Sequence, residues 1–83
     1  MLKEIDTAIL ATDIARTLSR YTEKITPADI YQETQNQLTR QRFADGEETE
    51  IRLRAEQLLS DKGFIKRVYR ELQNLGASYE LPD

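Results

Sequence analysis

"SDKGFIKRVYRELQNLG", residues 60–76, is the stretch on which the fold turns. Projected at about 100° per residue, Phe64, Ile65, Val68, Tyr69, Leu72 and Leu75 fall within an arc of about 140°, so one face of a helix is apolar and packs. Lys62, Lys66, Arg67 and Arg70 occupy nearly the opposite arc, together with Gln73 and Asn74. Like charges four apart on a helix repel by about 0.2–0.5 kcal/mol per pair, which makes the basic arc a feature to explain.

The residues just before this helix decide how many helices there are. Ser60 or Asp61 can cap a new helix, whereas Gly63 inside a continuous one costs about 1 kcal/mol relative to alanine. The stretch therefore predicts a break and a separate helix over about 61–75, stopped by Gly76 in the left-handed position after its last turn. A competing pattern runs through Ile51, Ala55, Leu58, Lys62, Ile65, Tyr69 and Leu72, whose alternating spacing of four and three suits one long coiled-coil helix. Lys62 on that seam argues for the break.

Upstream, Ile51, Ala55, Leu58 and Leu59 mark a helix over about 47–59. Its acidic first turn complements the helix dipole, and Glu48 to Arg52 and Glu50 to Arg54 form favourably oriented pairs. Before it, "FADGEE" closes a helix over about 27–44, with Gly46 suited to the terminating position and Asp45 to capping the next helix. That second helix is polar. Ile30, Tyr31, Leu38 and Phe43 make a narrow apolar stripe, and the amides of "QETQNQLTRQRF" read as a wet face, hydrogen bonding across an interface being the alternative.

The start of the second helix is the clearest local signal. In "ITPAD", Thr26 serves as N-cap, Pro27 sits where its missing N–H costs nothing, and Asp29 comes three after the cap. Ile25 and Ile30 take the two positions of a hydrophobic staple. Further upstream, Leu2, Ile5, Ile9, Leu10, Ile14, Leu18, Tyr21 and Ile25 recur every three or four residues, which predicts a first helix over about 2–24. The expected fold is an all-α, single-domain bundle of three to four amphipathic helices with a short non-helical tail, "ASYELPD", that Pro82 keeps from being helical.

Composition narrows the chemistry. The chain has 83 residues, no cysteine and no histidine, so thiolate zinc sites, disulfides, cysteine nucleophiles and histidine bases are all excluded. Ser19, Ser60 and Ser78 stand in no triad-like context. Gly46, Gly63 and Gly76 are isolated, so there is no phosphate loop. The cluster Asp45, Glu47, Glu48 and Glu50 offers oxygen ligands for a hard cation, but the spaced echo of its Glu47/Glu50 pair, Glu80 and Asp83, lies across a proline. An acidic helix start with ion-paired arginines accounts for every residue in it. No catalytic residue, cofactor or metal site is expected, and the reading is of a protein that is not an enzyme.

Twelve basic residues against fifteen acidic ones give a net charge of −3, mixed along the chain. No stretch approaches the roughly 20 apolar residues that span a bilayer, and Glu4, Asp6 and Asp13 interrupt the N-terminal apolar pattern as a signal peptide would not. No membrane contact and a cytoplasmic location are the default expectations. At 39% apolar residues the chain falls short of the usual composition, and a core this thin points to a partner or a second copy completing it.

The expected function is a small protein-interaction module, of the adaptor, chaperone, inhibitor or immunity-partner kind, working as a homodimer or in a hetero-complex. Its partner-binding face is Phe64, Ile65, Val68, Leu72 and Leu75. Lys62, Lys66, Arg67 and Arg70 are candidates for meeting an acidic partner. The alternative is a small DNA- or RNA-binding regulator using those four cations, with "SDKG" as the turn of a helix-turn-helix. An acidic chain is unusual for that role.

Overall fold

The computed structural model describes residues 6–40 and 48–81. Among these, α1 spans Thr7–Tyr21, α2 Pro27–Arg40, α3 Glu48–Ser60 and α4 Lys62–Asn74. The protein is a small all-α bundle, and no helix is long and apolar enough, among the described residues, to cross a membrane. Each helix packs on its neighbours in the cyclic order α1, α2, α3, α4, with the most extensive interface between α1 and α4. The pairs α1/α3 and α2/α4 therefore face each other across the core.

The break before α4 is real, and a single residue makes it. Asp61 adopts an extended conformation, and its Oδ1 accepts from the N–H groups of Gly63 at 2.8 Å and Phe64 at 3.4 Å. Two of the N–H groups that lack an intrahelical partner at a helix start are thereby satisfied. Gly63 falls in the first turn, where its low helix propensity matters less than in mid-helix. The single long helix is excluded, because α3 ends at Ser60 and α4 starts at Lys62.

At the other end of α4, Gly76 has φ of 70°, its N–H donates to Gln73 O and the Ala77 N–H donates to Leu72 O, both at 3.0 Å. These two bonds are those of a Schellman motif. Phe64, Val68 and Leu72 point inward from α4 into the core, against the buried Leu10, Ala11, Ile14, Ala15 and Leu18 of α1.

The first helix is shorter than its periodicity predicts. Asp6, expected inside it, is its N-cap, with Oδ1 accepting from Ala8 and Ile9 N–H at 3.1 and 3.2 Å. Residues 1–5, with Leu2 and Ile5, lie outside the described residues. The core stripe also differs: Ile9 is 58% exposed and Tyr21 78% exposed, while Ala11 and Ala15 are buried. Ile9 lies about 100° away from Leu10 on the helix, off the arc that faces α4, and Tyr21 is the terminal residue.

Helix α1 stops at Tyr21 and not at 24: Thr22 is extended, and Ile25 pairs with the tail. Its N–H donates to Ser78 O at 2.9 Å and its carbonyl accepts from Glu80 N–H at 2.7 Å, forming an isolated parallel bridge to Tyr79. The tail is non-helical, as expected, and it is docked. It straps the α1–α2 connection to the flank of α4, with Tyr79 against Tyr69 at a ring separation of 5.3 Å.

The start of α2 matches its sequence signal bond for bond. Asp29 Oδ2 accepts from Thr26 N–H at 2.9 Å, and Asp29 N–H donates back to Thr26 Oγ1 at 3.2 Å. This reciprocal pair is the capping box, and both staple residues, Ile25 and Ile30, are buried.

The polar side of α2 is a wet face only in part, with Gln32 exposed and Gln35 and Asn36 half-buried. Glu33, Thr34 and Gln37 are buried with Ile30 and Leu38. Thr34 Oγ1 donates to Ile30 O at 2.7 Å, and Gln37 Nε2 donates to Glu33 Oε2 at 2.8 Å. Asn36 Nδ2 reaches Glu33 Oε1 at 3.4 Å and Arg40 Nη2 reaches Oε2 at 3.5 Å. Polar residues are buried here with partners that lie one or two turns away on the same helix. No buried side-chain polar atom among the described residues lacks a partner. The expected end of α2 near residue 44, with Phe43, Asp45 and Gly46, lies outside the described residues.

Candidate functional site

The predicted packing face of α4 divides once the helix is in place. Phe64, Val68 and Leu72 are taken up by the chain's own core, so in this fold they are closed to a partner. Ile65 is half-buried at the side of the helix, and Leu75 is 46% exposed just past the last turn. The accessible remainder of the apolar face is therefore its edge, Ile65 and Tyr69, with Leu75 beyond the helix end.

That edge borders a groove of about 390 Å³. Ile65 and Tyr69 form one wall, Pro27 and Ile30 at the start of α2 form the other, and Leu59 at the end of α3 lies between them. The groove exists because α2 and α4 are diagonal in the bundle. Lys62, Lys66 and Ser60 stand at its margin.

A second, shallower hollow adjoins it along Ile65, Lys66 and Tyr69 and continues past Arg70 and Gln73 to Tyr79 and Leu81 of the tail. The Tyr69 hydroxyl donates to Glu80 O at 3.3 Å. Burial pushes its phenol above the ordinary tyrosine value, with the adjacent Tyr79 phenol acting in the same direction, so the hydroxyl stays protonated and remains a donor at neutral pH.

Lys62, Lys66, Arg67 and Arg70 are all exposed. Among the described residues the ion pairs are Lys24–Glu80, Arg40–Glu33 and Arg52–Glu48, and none of the four α4 cations takes part in one. Lys62, Lys66 and Arg70 line the two hollows, while Arg67 lines neither. No carboxylate lines either hollow among the described residues.

Of the acidic cluster, only Glu48 and Glu50 are among the described residues. Glu48 pairs with Arg52 at 3.5 Å, Arg54 donates to Gln57 and not to Glu50, and Asp45 and Glu47 lie outside the described residues. Among the described residues no group of three carboxylates is placed to hold a metal ion.

Pro27, Ile30 and Leu59 were not readable as lining residues, since they come together with α4 from two other helices. Tyr79 and Leu81 did carry a signal: the alternation in "SYEL" is that of a short extended segment with one apolar side.

No protein-family model, curated protein or solved structure matches this chain.

Proposed function

We propose that the chain is a small non-enzymatic interaction module that docks another protein along the exposed edge of α4. The observation that carries this is the groove itself. It is an apolar corner open to solvent, lined by Ile30, Leu59, Ile65 and Tyr69, in a bundle whose described buried side-chain polar atoms all have partners. Grooves between helices that present aliphatic and aromatic side chains are typical receptors for a partner's side chains. Lys62 and Lys66 at the margin supply orientation, a faster encounter and discrimination against like-charged partners.

The test compares partners retained from native extract by the intact chain and by Ile65→Asp, with circular dichroism confirming that the variant stays folded. A protein held by the first and lost with the second supports the docking face. Identical retention by both contradicts it.

A second reading, a DNA- or RNA-binding regulator, rests on the four exposed cations of α4. Four phosphate contacts give a slope of about −3.6 in log affinity against log salt for duplex DNA. Replacing Lys62, Lys66, Arg67 and Arg70 by glutamine removes that salt dependence if this reading holds.

A further inference from the structure

We propose that the groove takes an acidic amphipathic segment of a partner protein, its apolar side chains seated over Ile65 and Tyr69 and its carboxylates against Lys62, Lys66 and Arg70. This rests on the reading of the groove as a protein-docking site and adds the chemistry of the occupant.

Charge segregation is the first argument. The chain is acidic overall, with fifteen carboxylate residues, yet among the described residues none lines either hollow, and three cations do. Lys62, Lys66 and Arg70 are spaced four apart, so they rise by about 6 Å per step along the helix axis. Among the described residues none of the three takes part in an ion pair, and a row of carboxylates at matching intervals relieves their mutual repulsion.

The tail supplies the second argument. The segment that α4 already carries in cis has the same character, with Tyr79 packed on Tyr69 and Leu81 lining the adjoining hollow. Between them Glu80 meets a cation, Lys24, at 3.7 Å. The two hollows share Ile65, Lys66 and Tyr69, so a partner segment in the groove extends a surface that already seats the apolar side chains of an extended segment.

A second copy is a weaker fit. The chain's own acidic helical face, Glu50 and Glu56 around the exposed Leu53, offers one large apolar side chain. It would also join copies head to tail, a contact that leaves unmatched ends unless a ring closes.

The probes are three fluorescein-labelled peptides of about four helical turns. The first carries leucines on one face and glutamates beside them, the second replaces the glutamates by lysine, and the third replaces the leucines by alanine. Anisotropy titration against the full chain is expected to show the glutamate peptide binding about tenfold or more tightly than either of the others, a difference of about 1.4 kcal/mol. In Lys62→Glu/Lys66→Glu, whose changes are on exposed residues, the preference between glutamate and lysine peptides should invert while the thermal melt stays in place.

Equal binding of the two charged peptides, with both lost in Ile65→Asp, overturns the acidic occupant and leaves the docking face standing. No binding of any peptide overturns both. Tighter binding of a single-stranded or duplex oligonucleotide than of the glutamate peptide overturns the inference in favour of nucleic acid. A molar mass that rises with concentration and is reduced by Leu53→Lys overturns it in favour of a second copy.

Discussion

Leu72→Ala is expected to destabilise the protein by about 2–5 kcal/mol, a large part of the stability a domain of this size has. Leu72 is fully buried on the α4 side of the largest helix–helix interface. Truncation there removes apolar transfer energy and leaves a cavity that the flanking Val68 and the α1 side chains can fill only in part. A domain of this size has a total stability of only about 0.05–0.15 kcal/mol per residue. Urea denaturation followed by circular dichroism measures the loss. A change below about 1 kcal/mol would mean that the α1–α4 interface is not tightly packed.

Gln37→Leu is expected to cost about 1–3 kcal/mol although it adds apolar surface to the core. The buried Glu33 carboxylate then loses its shortest described side-chain donor, at 2.8 Å, and keeps Asn36 and Arg40 at 3.4 and 3.5 Å. Replacing both residues, Glu33→Leu with Gln37→Leu, removes the buried charge along with its donor. Arg40 is already well exposed and simply returns to water. The double variant should therefore be less destabilised than the sum of the two single ones, with a coupling of about 0.5–3 kcal/mol in a double-mutant cycle. Additive single effects would show that the pair does not act as a unit.

The sequence made the helix ends legible where capping is local. Thr26 with Asp29, Asp61, and Gly76 each act within a few residues of themselves, and each does so in the structure. Asp6 was missed for the opposite reason: the spacing of Leu2, Ile5 and Ile9 carried the apolar pattern through it, and periodicity alone does not reveal where a helix starts. The buried polar face of α2 was illegible because glutamine, glutamate and threonine are buried or exposed according to what packs on them. Here Gln37 and Glu33 satisfy each other and can go inside.

The candidate site was half legible. Projection of α4 separated its apolar and basic faces correctly, yet it could not distinguish Phe64, Val68 and Leu72, which the bundle consumes, from Ile65, which it leaves at the edge. That distinction depends on α1 covering one side of α4 and nothing among the described residues covering the corner between α2 and α4. The docked tail depends on a bridge between Ile25 and Tyr79, residues far apart in the chain. No local window contains such a contact.

The location of the docking surface is tested most directly by amide chemical-shift mapping of the isotope-labelled chain during titration with the glutamate–leucine peptide. The expected result is a set of perturbations concentrated at Leu59, Lys62, Ile65, Lys66 and Tyr69, saturating together and absent in Ile65→Asp. Perturbations centred on the outer face of α1, around Ile9, Asp13 and Arg16, with the α4 amides unmoved, would contradict it.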